Sequence, residues 1–164
     1  MGFAPTPNGT RGARQPGGGR LMRWMNRWAT GRIRKGGTFM GGAEGLVLTT
    51  VGRKTGAERS TPVNWFPGVD GSWLIVASAA GAPKHPAWYY NIAANPDRVT
   101  IETADGVVAV TAVQLEGAER DAAWREGVEK GTVAEGGHLP ECAKETQGAR
   151  YCDCGAWGAR HAHN

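Results

Sequence analysis

Two hydrophobic periods divide the chain. Across residues 20–35, Leu21, Trp24, Met25 and Trp28 recur at the i, i+3, i+4, i+7 spacing of one helical face, while Arg23, Arg27 and Arg34 fall largely elsewhere, so the pattern predicts an amphipathic helix. From Gly45 onward the period is that of strands. Residues 46–51 form a β-branched run and residues 59–66 a second, joined through residues 52–58. Pro62 cannot donate to a ladder and marks an edge strand or a bulge. Residues 67–71 carry a turn signal, and residues 72–78, with Trp73, Leu74, Ile75 and Val76, read as a buried third strand. Pro86 opens a helix that runs to Ala94 and is ended by Asn95-Pro96. Residues 98–103 and 107–115 make a hairpin around Ala104-Asp105-Gly106, and residues 118–129 are helical. Five strands with one inserted and one following helix predict an α+β domain that is mainly β, a small and mostly antiparallel barrel.

Composition limits what such a domain does. The chain has 164 residues and 40% apolar content, enough for one core. No apolar run approaches the roughly 20 residues that span a bilayer. Residues 1–19 are rich in Gly, Pro and Arg and lack the apolar middle of a secretory signal, so they read as a disordered basic leader on a cytoplasmic protein. The domain proper is expected over residues 20–130, followed by an atypical tail over residues 131–164. A net charge of +4 hides an asymmetry: residues 1–35 hold eight Arg or Lys and no acid, leaving 11 bases against 15 acids in the rest. A nucleic-acid groove needs basic residues across the folded body, and this body is acidic, which argues against nucleic acid as a partner. The basic helix has two readings that can hold at different times: its Trp face packs on the core, or it rests on anionic lipid at the inner face of the plasma membrane.

Candidate chemistry concentrates after the first strand. Gly52-Arg53-Lys54-Thr55-Gly56 permits tight backbone geometry with exposed N–H groups, and Arg53, Lys54 and Arg59 add cationic donors, a combination suited to phosphate or carboxylate. Because Thr55-Gly56 leads into a strand, nucleotide hydrolysis of the P-loop kind is not implied. Beyond Ser78, residues 79–83 form a small-residue loop on which a planar ligand can lie close to the backbone, and Trp88 and Tyr89 follow. Those aromatics serve equally well as a plug for one end of the barrel. His85, directly before a proline, reads as a surface residue.

Residues 48–56 (Leu-Thr-Thr-Val-Gly-Arg-Lys-Thr-Gly), Arg59 with Pro62, Val76-Ala77-Ser78, and residues 86–96 (Pro-Ala-Trp-Tyr-Tyr-Asn-Ile-Ala-Ala-Asn-Pro) closely resemble the deazaflavin-dependent nitroreductase family. The resemblance runs from about Thr38 to Leu115, with the N-terminal helix also in place. It implies a split β-barrel that binds the deazaflavin coenzyme F420. Carried over by position, Arg53, Lys54, Thr55 and Arg59 would face the phosphate and polyglutamate tail. Ser60, Thr61, Pro62, Val63 and Asn64, with Val76, Ala77, Ser78 and Ala79, would border the ring, and Ala87, Trp88, Tyr89, Tyr90 and Asn91 would close over it. The implied reaction is hydride transfer from reduced coenzyme to a quinone, an enone or a nitroaromatic, with Ser78 hydrogen-bonding the ring or the acceptor. FMN in a related barrel is the alternative cofactor.

The tail departs from that family, whose members end in a Val-rich strand that completes the barrel. Residues 148–164 show no strand alternation, which a frameshift near Gln147 or a sequence error would explain; a genuine tail would leave the barrel short of one strand with an exposed edge, and a coenzyme-binding protein with impaired catalysis is then the alternative to a working reductase. Cys142, Cys152 and Cys154 lie here with His138, His161 and His163, but their Cys-x-Cys and His-x-His spacings are tighter than those of structural zinc, and no metal site is expected.

Overall fold

The computed structural model describes residues 19–36, 45–68, 71–77, 79, 82–129 and 156–161. They hold helices α1 (Arg20–Arg34), α2 (Ala87–Ala94) and α3 (Gly117–Glu129) and strands β1 (Gly45–Val51), β2 (Glu58–Asn64), β3 (Phe66–Pro67), β4 (Trp73–Val76), β5 (Val99–Thr103), β6 (Gly106–Gln114) and β7 (Ala156–His161). All strands join one antiparallel sheet in the order β2-β1-β5-β6-β7-β4-β3. The architecture is α+β of split-barrel type. Hydrogen bonding does not close the sheet, because β2 and β3 stand at its two ends.

Residues 46–48 of β1 are apolar in succession because both faces of the strand are covered there. Period-two alternation sends Leu46 and Leu48 into the main core with Ile75, Tyr89, Ile92, Ile101 and Val110, and sends Val47 to the face that α1 approaches. A second cluster, Phe66, Leu74, Leu115 and Ala123, seats α3. Pro62 sits opposite Val47 on a strand paired along one edge only, as a residue without an N–H requires.

The structure departs from expectation in three places. First, α1 turns its Trp face outward: Trp24 and Trp28 are 64% and 60% exposed, and Met25 is exposed as well. Ala29 and Ile33, an i, i+4 pair, are buried in its place, and Arg34 locks the last turn to β5 through a bidentate pair with Glu102 at 2.8 and 2.9 Å. Among the described side chains of α1, Ala29, Ile33 and one ion pair hold the helix to the sheet, while Trp24, Met25 and Trp28 stay outside. Second, the run over residues 59–66 is two strands. Its alternation continues through a bend at Trp65, after which β3 leaves β1 and pairs with β4.

Third, the tail supplies a strand. β7 lies between β6 and β4, with Gln114 opposite Trp157 and Trp73 opposite Ala159, so the expected exposed edge is filled. Two unpaired ladders recruit a segment whose own strand propensity is poor, since backbone hydrogen bonds are indifferent to sequence. The leader at residues 1–18, residues 130–155, all three cysteines, His138 and His163 lie outside the described residues. Among the described residues no cluster of metal-ligating side chains occurs, and no helix is long and apolar enough to cross a membrane.

The burial of α1 orders two substitutions. Ile33→Ala is expected to lower unfolding stability by about 2 kcal/mol or more, and Trp24→Ala to change it by less than about 0.5 kcal/mol. Denaturant titration of both variants checks the order, which a helix buried through its Trp face would reverse.

Candidate functional site

The turn between β1 and β2 is closed by its own hydrogen bonds. Gly52 N–H donates to Ala57 O (2.8 Å), the Thr55 and Gly56 N–H groups both donate to Gly52 O (3.2 and 2.7 Å), and Ala57 N–H donates to Thr55 Oγ1 (3.3 Å). Arg53 N–H donates to Asn91 Oδ1 at 3.1 Å. Of the N–H groups from Gly52 to Ala57, only that of Lys54 has no such partner among the described residues. The expected row of exposed N–H groups is therefore mostly consumed by the turn itself, and recognition of an anion falls to side chains. Two glycines make this closure feasible. A Cβ on Gly52 would stand 2.9 Å from Thr55 Oγ1 and 3.1 Å from Ala57 O, and Gly56 has a φ of +66°.

Helix α2 forms the wall beside this turn. Pro86 caps it in extended conformation, Asn95 N–H ends it by donating to Asn91 O and Ile92 O, and Trp88, Tyr89, Asn91 and Ile92 are buried. Tyr89 is wholly inside the core, as the packing reading of the aromatics requires. Tyr90 is half-buried, and the Arg53 guanidinium lies over its ring at 5.1 Å. His85 is not a surface residue. The following proline holds it out of helical conformation, and its ring stacks on Tyr89 at 4.2 Å with an edge contact to Tyr90 at 6.0 Å, leaving it 7% exposed.

A cleft of about 1160 Å³ opens among α1, the turn, the start of β2 and α2. Six cations line it, Arg27 and Arg34 from α1, Arg53 and Lys54 from the turn, Arg59 from β2, and Lys84, against one acid, Glu58. Arg34 is committed to Glu102, whose hydrogen bond and negative charge raise the guanidinium's pKa above its ordinary value. Arg27, Lys54, Arg59 and Lys84 have no ion-pair partner among the described residues. The cleft is therefore a cationic basin with Trp88 and Tyr90 on one side, suited to a ligand that is both anionic and aromatic.

Of the residues singled out in the sequence, the cleft gathers Arg53, Lys54, Thr55, Arg59, Ser60, Thr61, Ala87, Trp88, Tyr90 and Asn91. Pro62, Ala77 and Tyr89 are buried in packing, and Val63, Asn64, Val76 and Ala79 do not line the cleft. Asn64 Oδ1 is buried without a hydrogen-bond partner among the described residues. Ala79 adopts a φ of +45°, a strained conformation for a residue with a Cβ, in the small-residue loop. Ser78 lies outside the described residues. The sequence reading missed the contribution of α1 and of Lys84 and His85. Arg27 and Arg34 are spaced i, i+7 and share a helical face, a signal that the Trp stripe overshadowed.

A family model described as F420H(2)-dependent quinone reductase matches residues 19–134. The chain belongs to the F420H(2)-dependent quinone reductase family. The family's name implies coenzyme F420 as cofactor and a reductase activity. F420H(2)-dependent quinone reductases of Mycobacterium tuberculosis strains H37Rv and CDC 1551 are each 41% identical to it over 78 residues, 48% of this chain and 50% of theirs. The chain thus spans about half the length of these curated relatives. A solved F420-H2 dependent reductase, FDR-A, is 32% identical with a TM-score of 0.54, covering 71% of this chain and 93% of that one. A chain solved as a domain-swapped dimer is 26% identical with a TM-score of 0.55, covering 85% and 96%.

The crowding at Gly52 gives the family's basic turn a sharp test. Gly52→Ala is expected to lower stability by about 1–3 kcal/mol, as overpacking does, and to weaken anion binding in the same variant. Thermal unfolding and a coenzyme titration read the two effects, and an unchanged protein would show that the turn does not need the glycine.

Proposed function

We propose that the protein binds reduced coenzyme F420 in this cleft and uses it to reduce a quinone. The observation that carries the reading is the union of two chemistries in one cleft: cationic side chains stand beside aromatic faces, with Arg53 5.1 Å from the Tyr90 ring. The reduced coenzyme supplies the hydride, and the quinone that accepts it together with a proton becomes a quinol. Arg53, Lys54, Thr55 and Arg59 hold the oxygens of the phosphate and polyglutamate tail. Ser60 and Thr61 border the ring, and Trp88 and Tyr90 cover it and exclude water. Enones and nitroaromatics are electron-poor in the same sense and belong to the same proposed acceptor range. The roles of Pro62, Val63, Asn64, Val76, Ala77, Ala79 and Tyr89 around the ring, and of Ser78 as its hydrogen-bonding partner, rest on the family resemblance.

Reduced coenzyme mixed with protein and menadione is expected to be oxidised, and neither component alone should suffice. Lys54→Ala is expected to lower kcat/KM for the coenzyme about 10-fold, the scale of one lost charge-assisted hydrogen bond. A protein that retains the coenzyme and oxidises it with no quinone, enone or nitroaromatic would sink the reductase reading.

A second reading concerns where the acceptor is met. Trp24, Met25 and Trp28 stand exposed on a helix that also bears Arg20, Arg27 and Arg32, with Arg32 stacked on Trp28 at 5.6 Å. Apolar rings amid cations suit an anionic lipid surface, which would place the protein at the inner face of the plasma membrane, beside lipid-soluble quinones. Co-sedimentation with phosphatidylglycerol vesicles should exceed that with phosphatidylcholine vesicles and should be lost in Trp24→Ala/Trp28→Ala. Equal binding to both lipids, or an unaffected double variant, contradicts it.

A further inference from the structure

We infer that Asn91 is a positioning residue, which sets the place of the turn's cations relative to the aromatic helix and so governs how tightly the anionic part of the ligand is held. Its side chain is 8% exposed and has both ends committed: Oδ1 accepts from Arg53 N–H at 3.1 Å, and Nδ2 donates to Thr50 Oγ1 at 3.1 Å. The orientation of the amide follows from the network, since the backbone N–H of Arg53 can only donate and so requires the carbonyl oxygen. Thr50 is 1% exposed on the last turnward stretch of β1, and Tyr90, the neighbour of Asn91 on α2, carries the Arg53 guanidinium on its face. One amide therefore joins the end of β1, the first residue of the basic turn after Gly52, and α2.

The closure of the turn makes this joint consequential. Because the turn's own N–H groups are mostly consumed, an anion is held by the side chains of Arg53, Lys54 and Arg59, and their positions follow the backbone that carries them. Within the turn, the bonds among Gly52, Thr55, Gly56 and Ala57 fix its internal shape. They do not fix its tilt against α2. The Arg53–Asn91 hydrogen bond does, and the stacking of Arg53 on Tyr90 reinforces it. A ring resting on Trp88 and Tyr90 would feel little of a small tilt, whereas a phosphate and carboxylate tail would lose its alignment with three cations.

The inference rests on the coenzyme assignment, and its test separates the two. Wild type, Asn91→Ala, Thr50→Val and Thr50→Ser are titrated with coenzyme F420 and with its tail-less deazaflavin chromophore, and amide hydrogen exchange is followed without ligand. Asn91→Ala should weaken F420 about 10-fold and the tail-less chromophore less than about 2-fold, the former being the scale of one buried hydrogen bond lost. Thr50→Val, which removes the second anchor, should shift the ratio of the two affinities in the same direction. Thr50→Ser, which keeps the hydroxyl, should restore the ratio. In the ligand-free protein, exchange at the Arg53 amide should quicken about 10-fold in Asn91→Ala while that at Leu48 stays unchanged. Equal weakening of both chromophores, or unchanged exchange at Arg53, overturns the positioning role. A wild type that takes up neither chromophore overturns the coenzyme assignment, and the exchange result then still decides for or against Asn91.

Discussion

The hydrogen bond from Gly52 N–H to Ala57 O, 2.8 Å long, is the constraint on which the site depends. It closes the turn between β1 and β2 so tightly that a Cβ at its first position would crowd Thr55 Oγ1 and Ala57 O, and it sets the register in which β2 runs back along β1, from Val51 opposite Glu58 to Gly45 opposite Asn64. A turn that satisfies its own backbone is rigid, and it has little backbone left to offer a ligand. In the proposed function the cationic side chains carry recognition, and they project from a frame held by the strand beneath and by the helix beside it. Charge in the turn and aromatic surface on α2 become parts of a single wall.

The same division of labour governs α1. Among its described side chains, the helix is held to the sheet by Ala29, Ile33 and the Arg34–Glu102 pair, while Trp24, Met25 and Trp28 face outward. One flank of the helix, bearing Arg27 and Arg34, lines the cleft; another bears Trp24 and Trp28. A helix with three different faces supports both readings of its chemistry, a cationic contribution to the coenzyme basin and an apolar surface for lipid. Neither requires the helix to span a membrane.

Much of this was legible in the residues. The hairpin of β1 and β2, the hairpin of β5 and β6, and the stretch from Pro86 to Asn95 follow directly from period, turn chemistry and a helix-ending Asn-Pro, because there local preference and tertiary need agree. The basic turn and the aromatic helix were recognisable as partners, and the cleft brings them together. What was not legible depends on partners distant in sequence. The outward Trp stripe could not be told from an inward one, since amphipathicity records two faces and not which is covered. β7 has almost no strand signal and exists because β4 and β6 offer it two ladders. The consumption of the Arg53 N–H, unlike that of its neighbours in the turn, hinges on Asn91, which stands 38 residues away. His85 looked exposed because a proline follows it, and that same proline turns its ring onto Tyr89.

The proposed function requires side-chain cations and aromatic faces in one cleft to select a deazaflavin with an anionic tail. Parallel fluorescence titrations of the protein with coenzyme F420 and with FMN, each repeated across a range of ionic strength, test it most directly. F420 is expected to bind more tightly than FMN, with an affinity that falls steadily as salt is raised, since the cations proposed to hold its tail are exposed to screening. Preferential binding of FMN, or an F420 affinity indifferent to salt, would contradict it.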